Sequence, residues 1–135
     1  MILLIGATCV LAMAGLYLLV LGTFGLIRPK QLTVFLANFA STPGAHYLEL
    51  LLRSLVGMSL LIVASLGPFS TVCKIIGWIL LGTSTALLFV PWRQHRRFAQ
   101  MVSPLVGRLA PLIGWSSIAA AITLGLKLIF VVKAW

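Results

Sequence analysis

MILLIGATCVLAMAGLYLLVLGTFGLIRPK, residues 1–30, carries no charged side chain before Arg28. A helix over Ile2–Ile27 would be about 39 Å long, more than the roughly 30 Å hydrocarbon core of a bilayer. Arg28-Pro29-Lys30 ends it, because the charges resist leaving water and proline has no N–H with which to continue the helix. The stretch lacks a basic leader and is too long for the apolar region of a cleavable signal, so it reads as a retained membrane span.

Similar apolar runs recur, which predicts further spans at about 45–66, after Pro43-Gly44, then 72–91, after Gly67-Pro68, and 111–132. The expected fold is an all-α integral membrane protein. One membrane domain, 1–135, holds four transmembrane helices as two hairpins. The long connection inside each hairpin is too regular for a plain loop. In residues 31–39, Leu32, Phe35, Leu36 and Phe39 recur at helical spacing opposite Thr33 and Asn38. In residues 92–102, Phe98, Met101 and Val102 oppose Arg93, Arg97 and Gln100. Each pattern suits a short amphipathic segment in the membrane interface on the cytoplasmic side, or equally a connector packed beneath the helices.

Composition agrees with this class. Of 135 residues, 61% are hydrophobic and 8% charged, and the mean hydropathy is +1.18. No water-soluble core could hide so much apolar surface. The net charge of +9, set against the single acid Glu49, raises the possibility of nucleic-acid binding, but no basic face or recognition motif accompanies it. Topogenic bias explains the charge better. Arg28, Lys30, Arg93, Arg96, Arg97 and Arg108 flank the connections within the hairpins, whereas Lys74 and Lys133 flank the opposite side, and Arg53 and Lys127 lie inside spans. The positive-inside rule then predicts both termini outside the cytoplasm of a bacterial-type inner membrane.

A faint repeat relates 1–66 to 72–135. Leu21-Gly22-Thr23 returns as Leu81-Gly82-Thr83, and Leu55-Val56-Gly57 as Leu112-Ile113-Gly114. A duplicated hairpin would give a parallel repeat, although shared membrane constraints produce the same pattern.

Candidate chemistry concentrates near the start of the second span. Glu49 and Arg53 stack as an i,i+4 pair, with His46 one turn earlier, giving an intramembrane polar face that must point into protein or a wet cavity. A proton-accepting or cation-coordinating Glu49 is one reading. The preferred reading is a self-neutralising pair that sets helix register, because no second carboxylate or proton relay accompanies it. His46 and His95 are the only histidines, and two helices each bringing one imidazole leave haem ligation as a minor option. No cofactor and no metal is expected. Arg93, His95, Arg96, Arg97 and Arg108, beside Trp92, suit contact with anionic lipid or an acidic patch of a partner subunit. Small residues mark two helix-packing stripes, Thr8, Gly15 and Gly22 on the first span and Ser117, Ala121 and Gly125 on the fourth. Trp78, Trp92, Trp115, Trp135 and Tyr47 are expected near span ends as an aromatic belt. Cys9 and Cys73 are isolated, without a CxxC pair or a second ligand nearby, and read as small buried side chains, with a disulfide between outer helix ends as a minor alternative.

There is no Asp, hence no carboxylate dyad or Asp-dependent triad, and no phosphate-binding loop. The function expected is therefore that of a nonenzymatic membrane subunit or scaffold, partnered by anionic lipids and by other membrane subunits or its own copies. The alternative is a small transporter, or a lipid- or quinone-interacting protein, using the Glu49–Arg53 face; a third reading is a membrane enzyme acting on a hydrophobic substrate with the same two residues and His46.

Overall fold

The structure is a computed structural model and describes residues 1–39 and 41–134, with the side chain of Phe39 not described. The Phe39 side chain and Trp135, both given roles above, thus lie outside the described residues. The elements are α1 (Ile2–Ile27), α2 (Pro29–Phe39), α3 (Pro43–Val63), α4 (Ser70–Leu88) and α5 (Trp92–Lys133). Four of them, α1, α3, α4 and α5, are long and apolar enough to cross a membrane, and no strand occurs among the described residues.

Local chemistry accounts for the breaks. Arg28 leaves helical geometry with φ −137°, as expected of a residue that precedes proline, and Pro29 opens α2. Thr42 caps α3, its hydroxyl oxygen accepting from the Ala45 N–H at 3.2 Å, and Pro43 occupies the first helical turn, where no N–H is required. The α3–α4 turn needs left-handed backbone at Gly67, φ 70°, and at Phe69, φ 63°. Hydroxyls along the spans bond back to the preceding turn, as Thr8 does to Leu4 O at 2.7 Å and Thr123 to Ala119 O at 2.9 Å, which satisfies them without a partner helix.

The helices form an open row in the order α4, α3, α1, α5. The most intimate pairs are α1 with α5 and α3 with α4, with α1 against α3 in between. Thus α3 and α4, adjacent in sequence but assigned to different hairpins, pack together, whereas α4 and α5 form no comparable pair. The two halves of the faint repeat consequently pack differently. Gly22 meets Gly114 across α1 and α5, but its counterpart Gly82 has open space around it.

The path of α5 explains the order. The basic segment at 92–102 is continuous with the fourth span in one 42-residue helix, about 63 Å long and twice the hydrocarbon thickness. Its start reaches α3 through His95, Gly107 faces Thr33 of α2, Gly114 crosses Gly22 of α1, and Phe130 lies under Gly67 in the α3–α4 turn. The helix runs beneath the start of α3 before rising beside α1. Pro104 and Pro111 lie inside it, so the carbonyls of Gln100 and Gly107 lose their usual main-chain donors where the helix passes from the crossing segment to the span.

The apolar core lies at the turn end of the row, where Ala7 and Leu11 of α1, Leu60 and Val63 of α3, Cys73 of α4 and Val131 of α5 are buried. The opposite, polar end holds α2 and the start of α5. There Leu32 is buried against Gly25, whereas Val34 and Phe35 on α2 and Phe98 and Met101 on α5 are exposed. Two expectations are corrected: Trp78 stands in mid-α4 rather than near a helix end, and Cys9 is exposed rather than buried, unlike Cys73.

Candidate functional site

At the polar end, α3 and the first turn of α5 bring four polar side chains together. His46 and Glu49 are three residues apart on α3 and share a face, and Arg53 follows one turn later. The Arg53 guanidinium donates to Glu49 Oε1 at 2.5 Å. The second carboxylate oxygen, Oε2, lies 3.5 Å from His95 Nε2. The imidazoles of His46 and His95 stand side by side, their centroids 4.8 Å apart and their planes tilted by 47°, and Tyr47 meets the His46 ring edge-on at 5.4 Å.

His46 is 2% exposed, and its Nδ1 has no hydrogen-bond partner; among the described residues, only Ser84 Oγ shares that condition. The His95 side chain is also mostly enclosed, at 16% exposure. The cluster thus has one charge pair, two imidazoles and an unclaimed ring nitrogen, closed around His46 but partly open at Glu49 and Arg53, and buried polar atoms such as His46 Nδ1 normally find partners.

The remaining residues with expected roles fall into two groups. Arg93, Arg96 and Arg97 line an open groove of about 360 Å³ with Trp92 and Gln100, and Arg93 lies over the Trp92 ring at 5.9 Å. Arg108 is exposed further along α5. His95, grouped with them in the sequence, faces α3 instead. A second groove of about 470 Å³ runs between α2 and α5 and is lined by Lys30, Thr33, Ser103 and Gly107 among others. In the small-residue stripes, Gly22 and Ser117 are buried, Thr8, Gly15 and Ala121 are half-buried, and Gly125 is exposed with open space beside it. Gly57 and Gly77, which belong to neither stripe, form the second close crossing: a Cβ on either would lie 2.9–3.0 Å from the other's carbonyl oxygen.

Sequence reasoning placed Lys127 in a span but assigned it no partner. It is 1% exposed, and its ammonium donates to the carbonyls of Ala64, at 3.2 Å, Leu66, and Pro68, at 2.9 Å. Three donors thus meet three carbonyls just past the C-terminal end of α3, one on its cap residue Ala64 and two in the α3–α4 turn. The available sequence signal was a lysine deep in an apolar helix together with Gly67-Pro68, which announces a helix end rich in free carbonyls.

Compared with known proteins, the chain matches no family model, no curated protein and no solved structure.

Proposed function

We propose that this protein is a small nonenzymatic integral membrane subunit or scaffold that works by helix packing with a larger membrane complex or with its own copies. One observation supports this reading above the others: α4 leans on α3 and on no other helix to a comparable extent. Its Ile75, Ile76, Trp78 and Ile79 are exposed. Lipid tails satisfy such a face, but so does another helix, and an open row gains more from a neighbour than a closed bundle does.

In this reading the hairpins are a matter of chain order only, since α4 packs on α3 rather than on α5; α2 and the basic start of α5 lie at the cytoplasmic surface, and both termini are outside. The clustering of Arg28, Lys30, Arg93, Arg96 and Arg97 at the polar end supports that orientation. The groove at Arg93, Arg96 and Arg97 suits an anionic phospholipid headgroup.

A photo-crosslinking side chain placed at Ile79, in cells, tests the subunit reading. A discrete cross-linked product that is absent when the same group replaces buried Leu60 is the expected result. No product at Ile79, together with a lone monomer by native mass spectrometry from lipid nanodiscs, overturns it.

A second reading, a small transporter or a lipid- or quinone-interacting protein, is favoured by the Glu49 carboxylate, whose Oε2 lies 3.5 Å from the His95 imidazole, itself set beside His46. It predicts that Glu49→Gln assembles normally but abolishes reconstituted flux or turnover. Equal loss of assembly in Glu49→Gln and Arg53→Gln counts instead for a structural pair.

A further inference from the structure

We infer that His46, Glu49 and His95 form a binding site for one divalent first-row transition cation of the zinc class, which clasps the start of α5 to α3. This goes beyond the subunit reading and stands independently of it.

The donor set carries the argument. One nitrogen from each ring and one carboxylate oxygen all lie within 4.8 Å of one another. Two imidazoles and a carboxylate suit zinc, cobalt, nickel or copper, whereas calcium and magnesium prefer all-oxygen shells. His46 and Glu49 come from one helical face, three residues apart, a spacing that carries two ligands to one ion. His95 arrives from another element, so the ion would join parts of the chain almost fifty residues apart.

The second observation is independent of the cluster's composition: His46 is almost completely buried, yet Nδ1 has no partner. A ring nitrogen enclosed and left empty is costly unless something occupies it. The carboxylate is divided between tasks in the same sense. Oε1 is held by Arg53, and Oε2 faces His95. An arginine on the outer oxygen orients a metal-binding carboxylate as supporting hydrogen bonds do elsewhere, and it neutralises that carboxylate when no ion is present.

The geometry needs modest closure. Donors around tetrahedral zinc, with bonds of about 2.0–2.1 Å, lie about 3.3 Å apart. Side-chain rotation of an ångström or so brings the cluster to that spacing. The imidazole planes, close together and tilted, suit one small ion shared by both rings rather than a macrocycle slotted between them. Three protein ligands leave a fourth position for water or another small donor.

The test uses the full-length protein in detergent micelles, with any affinity tag removed. Co2+ is titrated while visible absorbance is followed, and zinc content is measured after loading and desalting. The expected result is one ion per chain, with the intense visible bands of a tetrahedral nitrogen-ligated cobalt centre. His95→Ala and Glu49→Gln should each weaken binding at least tenfold, whereas Lys133→Gln, which alters charge at the exposed far end of the same helix, should leave it unchanged. Absence of stoichiometric uptake by the unaltered protein overturns the proposal. So does undiminished binding by a His95→Ala variant of native helicity. If that variant does not fold, the cobalt spectrum of the unaltered protein decides: weak octahedral bands of oxygen-only ligation overturn the site.

Discussion

Lys127 shows how a side chain left without a partner by the sequence is explained by its neighbours. A lysine in an apolar span suggests a pathway or a binding site. Here the ammonium instead replaces the missing hydrogen-bond donors at the end of α3, contacting the carbonyls of Ala64, Leu66 and Pro68. Lys127→Met keeps most of the volume but removes the donors and the charge, and should cost about 3 kcal/mol, the scale of lost hydrogen bonds to a charged group. Unfolding in mixed micelles measures the loss, and limited proteolysis should cut first at residues 64–69. Unchanged stability would mean that water satisfies these carbonyls. Glu49 presents the opposite case. Its pairing with Arg53 was legible from the four-residue interval, because both lie on one helix. The approach of His95 was not, since nothing local relates position 49 to position 95.

At the scale of elements, two close crossings hold the row together. A Cβ at Gly22 would lie 2.6 Å from the Ile118 side chain and 2.8 Å from the Gly114 carbonyl oxygen. Backbone cannot yield as a side chain can, so Gly22→Ala should destabilise the α1–α5 pair by about 1–3 kcal/mol, as overpacking does. Gly125→Ala, with nothing within 4 Å, should be neutral or slightly stabilising through better helix propensity. Thermal melts of the two variants in one detergent measure the contrast, and equal effects would discard the crossing argument. Periodicity suggested Gly22 as a packing position, but it also suggested Gly125. A stripe of small residues says where backbones are able to approach, and only the partner helix says where they do. The joining of 92–102 to the fourth span was hidden for a related reason. Pro104 and Pro111 signal a boundary in sequence, yet the helix continues through both.

The whole molecule is polarised along its long axis, with the dry core and the α3–α4 turn at one end and the basic and histidine-rich groups at the other. The orientation proposed above makes the polar end cytoplasmic. Single cysteines introduced near residues 70 and 100, in a background with Cys9 and Cys73 replaced, should react differently with a membrane-impermeant reagent in intact cells. Labelling near 70 is expected; labelling only near 100 reverses the orientation. Neutralising Arg93, Arg96 and Arg97 together should reduce co-purified anionic phospholipid, and unchanged lipid content would assign these residues to topology alone. Both outcomes belong to this scale because they depend on summed charge and on the membrane, not on one contact.

Four spans, their membrane character and the single acid–base pair were determined by the sequence itself, because apolar length, proline and charge punctuation and i,i+4 spacing are local quantities. The neighbours of each helix were decided only in the tertiary structure. The continuous α5 passes beneath α3, so α4 is left on the outside, His95 is set against Glu49, and Lys127 rises to the end of α3. Side-chain pattern describes one helix face at a time, whereas the choice between faces is made by how closely two backbones can approach and by which polar atoms they leave to be satisfied.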